Sequence, residues 1–485
     1  MPADHHHGSS HCGCCGSMDR RNFMASVGLS ALAAPSLTSM VSAAADDQPL
    51  PGAKPRALAA FLHPKVDRYW MGWPGASYDI AARQADYKKT MVEAAEKLGV
   101  VLEVVDEPLA DMADVDKLLA RCKQSPPDGV ILNVMGLHPN YWPHAEKFLA
   151  GRGEVPTIVF APMGVAFTGN LQNTRQATKC FVASTQDYNW LTTGMRMLRT
   201  IWDMKTTRLC IINGNRTYDQ QLNVIGTTLH HIPLNRWTDE LAKQEATPEV
   251  EQLADEFAKT AKKIVEPSPQ DLINSAKAYF VGKKIMADEK CHGISLNCLG
   301  LIGDRKIPCP PCMAWLKLND EGSVGCCECD WKAAISLRLC ALLTGRPGFM
   351  QDPVPNTVNG TFMGAHCSSP SKLRGFDQPA EPVILRNHSE STLGVSPQVL
   401  WPLDEPATVM WFQDPGKIVL GTGKVVANID TPPSGGCRTS VELAMDSVAD
   451  PRDCKGFHQP FILGRLDRLF KAYCQLAGIE VVPIA

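Results

Sequence analysis

The run Ser323-Val324-Gly325-Cys326-Cys327-Glu328-Cys329-Asp330-Trp331-Lys332 sets two carboxylates beside a cluster of thiols, where a strand gives way to a helix. A third carboxylate, Asp352, follows in Gln351-Asp352-Pro353. Two histidines lie further on in short glycine-containing segments: His366 in Gly364-Ala365-His366-Cys367, and His458 in Gly456-Phe457-His458-Gln459-Pro460-Phe461. Two carboxylates and an imidazole form an oxygen and nitrogen donor set suited to a hard divalent cation such as Mn2+ or Mg2+. A cation of that kind polarises neighbouring oxygens as a Lewis acid, and a carboxylate beside it can take up a proton and return it. Glu328 and Asp352 are therefore expected both to ligate and to move protons, with His458 as the metal's imidazole. His366 is expected as a further ligand or a substrate contact. Each residue also has a plainer role: Asp330 as a helix cap, and a lone histidine as part of a packed strand.

Cysteines offer a rival chemistry. Of 18, three (Cys12, Cys14, Cys15) lie in a leader with His5, His6, His7 and His11. The remaining 15 are an odd number and cannot all pair within the chain. Cys309-Pro310-Pro311-Cys312, followed by Cys326, Cys327 and Cys329, has the spacing of a zinc ribbon. Cys309 and Cys312 are also a candidate disulfide or redox pair. The reading favoured here is that Cys309, Cys312, Cys326 and Cys327 are structural, buried thiols.

The elements that must position these groups alternate. Ala57–Leu62, Val100–Val105, Val130–Val134 and Pro156–Phe160 read as strands, with helical spacing over Tyr78–Leu98 and Met112–Cys122. The theme restarts with a helix over Tyr188–Met204, a strand at Arg208–Ile212, a helix over Gln270–Lys290 and a strand at Gly293–Asn297. The polar stretch from Thr238 to Glu266 reads as exposed helix. Around the carboxylates, Ser323–Cys327, a helix over Trp331–Leu343 and a short strand at Gly348–Met350 form a strand–helix–strand unit. A right-handed crossover would make its two strands parallel, with Glu328 and Asp352 at their carboxyl ends on one sheet edge. Beyond that, Thr408–Phe412 and Lys417–Asn428 look antiparallel, and a last helix over Gly464–Ala477 stops at Gly478. The fold class is α/β: two doubly wound parallel-sheet domains (57–178 and 179–356), then a β-rich, barrel-like domain (357–485).

With 485 residues, three domains is the natural expectation. Positive residues number 48 and negative 51, with no sustained basic run, which argues against a nucleic-acid partner. Residues 1–56 read as an address and a linker. Arg20-Arg21 and Phe23, a weakly apolar stretch broken by Pro35, and Ala43-Ala44-Ala45 resemble a twin-arginine signal. That implies a partner in the twin-arginine export machinery and an exported location, periplasmic or membrane-associated.

The segment Cys327-Glu328-Cys329-Asp330-Trp331-Lys332-Ala333-Ala334 resembles the carboxylate motif of the L-fucose and L-arabinose isomerases, in which Glu-x-Asp opens a helix. Phe349-Met350-Gln351-Asp352 stands where that family carries its second carboxylate. Gln351 departs from the arabinose branch, and Asp352 matches the fucose branch. Gly364-Ala365-His366 is similar to the arabinose branch's Gly-x-His. Phe457-His458, ahead of a closing helix and Gly478-Ile479-Glu480, resembles the C-terminal metal-histidine region. Pro311-Cys312 and Gly436-Cys437-Arg438-Thr439 are also similar to fucose-isomerase sequence. The resemblance is clearest over residues 290–485. It implies bound Mn2+ on Glu328, Asp352 and His458, a monosaccharide interconverted between aldose and ketose, and a homo-oligomer (trimer or hexamer). His366 and Trp331 would then be substrate-binding residues. The alternative is an exported, non-catalytic sugar-binding protein of the same fold.

Overall fold

Strand β1 (Arg56–Leu62) shows why the first part of the chain forms a two-sided layer. Successive side chains of a strand point to opposite faces. Ala57, Ala59 and Phe61 enter one apolar core, and Leu58, Ala60 and Leu62 enter another. Helix α1 (Ile80–Leu98) covers the first face, while α2 (Met112–Gln124) and α3 (Trp142–Gly151) cover the second. Strands β2 (Val101–Val105), β3 (Gly129–Val134), β4 (Thr157–Ala161) and β5 (Cys180–Ser184) complete a parallel sheet in the order β2-β1-β3-β4-β5. The computed structural model describes residues 53–71, 76–137, 140–432 and 435–485. The paired-arginine leader and its His/Cys cluster lie outside the described residues. No helix of the described residues is long and apolar enough to cross a membrane.

Helix α4 (Asn189–Thr206) leads into a second sheet of β6 (Arg208–Ile212), β7 (Tyr218–Gln221), β8 (Thr228–Ile232), β9 (Gly293–Leu296) and β10 (Val324–Cys327). Its order is β10-β9-β6-β8-β7, parallel except for the outer β7. The polar stretch expected as one exposed helix is two, Asn235–Lys243 and Pro248–Thr260, each with a buried apolar face. Helix α5 (Pro269–Asp288) follows, opened by a capping box between Ser268 and Asp271.

Helix α6 (Trp331–Thr344) then carries the chain out of this sheet. Asp330 caps its start by accepting from the backbone N–H of Lys332 and Ala333, and Gly345 ends it at φ 67°. The next strand, β11 (Phe349–Asn356), does not pair with β10. It runs antiparallel to β12 (Thr361–His366) and to β16 (Gln459–Leu463). The expected strand–helix–strand crossover within one sheet is therefore corrected. The cause is legible in α6 itself: Ala333 to Leu343 is buried almost all round, whereas a crossover helix lying on one sheet needs only one apolar face. It is packed between sheet and barrel, and its Ser336 hydroxyl accepts the backbone N–H of Phe412 at 3.0 Å.

The C-terminal region is a closed six-stranded antiparallel barrel. With β13 (Pro406–Asp414), β14 (Lys417–Asn428) and β15 (Thr439–Met445), its order is β13-β16-β11-β12-β15-β14, and β14 pairs back onto β13. Closure leaves no edge among these six strands. Helix α7 (Asp467–Ala477) and β17 (Glu480–Pro483), parallel to β14, complete the chain.

A small sheet clamps the middle region to the barrel side. Lys263–Ile264 pairs parallel with Val383–Arg386, which pairs antiparallel with Ser396–Val399. The buried Arg386 guanidinium forks onto Glu266, Nε to Oε2 at 2.8 Å and Nη2 to Oε1 at 2.7 Å. Arg386 thereby holds the Glu266 carboxyl below its ordinary range. Removing one partner leaves the other charge poorly compensated. Glu266→Ala should cost about 2 kcal/mol in urea unfolding at neutral pH. A lowered carboxylate pKa stabilises above the unfolded value and ceases to as pH falls through the folded one. The gap between variant and parent should accordingly narrow as pH falls below the ordinary glutamate range, and a gap unchanged with pH would contradict the pairing.

Candidate metal centre

Glu328 leaves β10 through a turn that ordinary side chains avoid. Glu328 has φ 60° and Cys329 φ 56°, both left-handed, before Asp330 returns to extended backbone. The turn is held by Glu328 N–H to Leu296 O at 2.9 Å, Asp330 N–H to Cys327 O at 3.2 Å and the Cys329 thiol to Ile212 O at 3.1 Å. His458 sits just before β16, also left-handed at φ 53°. Gly456 two residues earlier has φ 105°, and a Cβ there would stand 2.9 Å from the Trp411 ring. Of the ten non-glycine residues with positive φ among those described, three are Glu328, Cys329 and His458. Such backbone costs of order 1 kcal/mol per residue, and its concentration here marks a place where side-chain aim takes precedence over relaxed geometry.

The other two groups come from neighbouring barrel strands. Asp352 lies within β11 opposite Ala365, and the next residue, His366, closes β12 opposite Thr439. The four side chains converge. His458 Nε2 is 3.1 Å from Asp352 Oδ1 and 3.7 Å from Glu328 Oε2. His366 Nε2 is 3.9 Å from Glu328 Oε1, and the two imidazole rings are 5.7 Å apart at 69°. Ligand atoms of Glu328, His366 and His458 all lie within 4.8 Å of one another, the one such group of three or more among the described residues. Asp352 joins it through His458.

These separations fit an ion. Ligands at about 2.1 Å from a common centre stand roughly 3.0–3.4 Å apart in octahedral or tetrahedral arrangements. The 3.1 Å spacing at His458 Nε2 falls within that range and the 3.7 Å spacing lies just above it, and small rotamer adjustments would bring the ligands onto a shared point. Both histidine side chains are buried, whereas those of Glu328 and Asp352 keep 18% and 16% exposure. The carboxylates are thus the more exposed members of the group.

Behind His458 stands Asp330. Its Oδ1 accepts the backbone N–H of Lys332 and Ala333, and its Oδ2 lies 2.9 Å from His458 Nδ1. Burial alone would lower the His458 pKa, but the hydrogen bonds with Asp330 and Asp352 and the charge of Glu328 prevail, pushing it up to about 10. This pocket favours positive charge at His458. Sequence reasoning gave Asp330 only the helix cap; its contact with a histidine 128 positions away left no local signal.

The remaining expected residues fall elsewhere. Trp331 is partly buried against the main core, with the Lys332 ammonium 5.7 Å from its ring and 5.3 Å from that of Trp411. No cysteine among the described residues is in a disulfide, Cys309 and Cys312 included. The Cys309 thiol donates to Asn274 O at 3.2 Å, and Cys312 is buried at the start of the helix Cys312–Asp320. Cys326 contacts Met350 Sδ at 3.4 Å, and Cys327 donates to Ser368 Oγ at 3.5 Å. Burial pushes the Cys309 pKa up to about 12, and that of Cys326 is raised as well; among the described residues no cysteine belongs to a donor group close enough to hold an ion. Gln351, the departure from the arabinose branch, is buried and donates to Gln459 Oε1 at 3.0 Å.

No family model and no curated protein matches this chain.

Asp330→Asn isolates the role of the second carboxylate contact. The amide oxygen can keep the helix cap, but its N–H2 would donate to His458 Nδ1 and drive the imidazole proton onto Nε2, the nitrogen facing the site. Mn2+ affinity measured by calorimetry should fall about 10- to 100-fold with the melting temperature nearly unchanged. Unaltered affinity would contradict the assignment of Asp330.

Proposed function

We propose that the chain is a metal-dependent aldose–ketose isomerase acting on a monosaccharide, similar to the L-fucose and L-arabinose isomerases. The observation that carries the reading is His458 Nε2 standing 3.1 Å from Asp352 Oδ1 and 3.7 Å from Glu328 Oε2, groups from three separate segments. Two α/β layers followed by a β-barrel accord with the domain order that the resemblance implies. We take both layers as doubly wound; for the first, the support is the apolar cores on either face of β1.

Glu328, Asp352 and His458 would hold the cation, Mn2+ by resemblance. When bound, it supplies Lewis-acid stabilisation for negative charge on two neighbouring sugar oxygens. The chain's own groups carry the proton. One of Glu328 and Asp352, as carboxylate, removes the C2 proton of the aldose, and the C–H electron pair becomes the C1–C2 double bond while the other, as carboxylic acid, protonates the C1 carbonyl oxygen. The first proton, or one exchanged with water, is then delivered to C1 as the C2 hydroxyl returns a proton to the second carboxylate and becomes the carbonyl. Carboxylates suit this task because each accepts and returns a proton without leaving its place. Being more exposed than the histidines, they would present oxygen donors to the substrate. Trp331 is kept as a substrate-side aromatic by resemblance, as are assembly into a homo-oligomer and export through a twin-arginine signal.

The test is hydrogen exchange in deuterated water with a panel of aldopentoses and 6-deoxyaldohexoses. Exchange at C1 and C2 should require Mn2+, disappear with EDTA, and drop about a thousandfold or more in Glu328→Gln at an unchanged melting temperature. Full exchange in that variant would overturn the assignment. Sugar binding without exchange in the parent protein would favour the non-catalytic sugar-binding reading.

A further inference from the structure

The two histidines of the centre are held by opposite kinds of partner, and this separates their roles. We infer that His458 offers a lone pair to the cation, whereas His366 is no ligand and presents an Nε2–H donor to an oxygen of the bound substrate. The placement of the protons stands on geometry; the identity of the oxygen rests on the isomerase reading.

At His366, Nδ1 receives the backbone N–H of Cys367 at 2.9 Å. A backbone amide only donates, so this nitrogen must supply the lone pair. The Ser368 hydroxyl lies 3.3 Å from the same nitrogen, and the Cys327 thiol donates in turn to Ser368 Oγ at 3.5 Å. That chain runs its protons toward Nδ1. A neutral imidazole carries one proton, which at His366 therefore sits on Nε2. That nitrogen lies 3.9 Å from Glu328 Oε1, beyond hydrogen-bond length, so the N–H faces the carboxylate beside which cation and substrate would meet.

At His458 the logic inverts. Asp330 Oδ2 is an acceptor 2.9 Å from Nδ1, so Nδ1 keeps its proton, and a cation entering beside Asp352 and Glu328 would displace only the second proton, on Nε2, and take that nitrogen's lone pair. For His366 to ligate through Nε2 as well, its proton would have to shift to Nδ1, directly against the Cys367 N–H. A fixed N–H aimed at an oxygen on which charge develops is instead the geometry of an oxyanion-stabilising donor.

The experiment uses 15N-histidine-labelled full-length protein with Mg2+ as a diamagnetic probe and Mn2+ as a paramagnetic one. Long-range 1H–15N spectra, assigned with His366→Gln and His458→Gln, should show the Nε2–H tautomer at His366 with and without Mg2+. Electron spin-echo modulation on bound Mn2+ should show one coordinated imidazole, lost in His458→Gln and retained in His366→Gln. Mn2+ affinity of His366→Gln should stay within about threefold of the parent, against a loss of about 100-fold in His458→Gln. Isomerase kcat in His366→Gln should fall about 100-fold at saturating Mn2+. Two coordinated imidazoles, an Nδ1–H tautomer at His366, or equal loss of Mn2+ in both variants would overturn the inference. A parent protein that shows one coordinated imidazole and the Nε2–H tautomer but no isomerase activity would support the proton placement and overturn the reaction. A parent that binds no Mn2+ would overturn both.

Discussion

One imidazole, His458, touches carboxylates from two distant parts of the chain: Asp330 at 2.9 Å on one side, Asp352 at 3.1 Å and Glu328 at 3.7 Å on the other. Three carboxylates gathered around so buried a group repel one another, and desolvation adds to the cost. The arrangement is tolerable only with positive charge at its centre, whether a proton on the histidine or a metal ion. This requirement gives the strained turn at Glu328 and Cys329 a purpose. A relaxed backbone would have left the β10 carboxylate pointing elsewhere.

The fold supplies the three approaches separately. Sheet two ends at Cys327 and delivers Glu328, the cap of α6 delivers Asp330, and the barrel delivers Asp352, His366 and His458. Because α6 is apolar almost all round, it fixes the sheet against the barrel instead of lying on one surface. The barrel strands are neighbours in register, Asp352 opposite Ala365 and Gln351 opposite Gln459, so Asp352 and His366 are aligned by backbone pairing, and His458 is held one residue ahead of the paired strand. A site built on paired strands holds its geometry better than one built on loops.

Local chemistry was legible in the sequence, and long-range pairing was not. Asp330 as cap and Gly345 as stop could be read because capping acts over three or four residues. The alternation of Ala57–Leu62 with the helices that follow it showed equally well, since period-2 and period-3.6 patterns are written into neighbouring residues. A meeting of Glu328 with Asp352 was expected through a crossover that does not exist; barrel register, not a shared sheet edge, brings Asp352 beside His458. Nothing near Phe349–Asn356 distinguishes a barrel strand from an edge strand of sheet two, because the choice is made by Gln459 and Ala365, far along the chain. The apolar circumference of Ala333–Leu343 was the available clue, since a helix exposed on one side would carry polar residues there.

Diffraction from crystals soaked in Mn2+, recorded at the manganese absorption edge, addresses the centre directly. A single strong anomalous peak should appear between Glu328, Asp352 and His458, with Glu328 and Asp352 oxygens and His458 Nε2 at about 2.1–2.3 Å and His366 Nε2 outside bonding distance. Mn2+-saturated crystals with no peak at that point, or with the ion bound by other residues, would contradict the account.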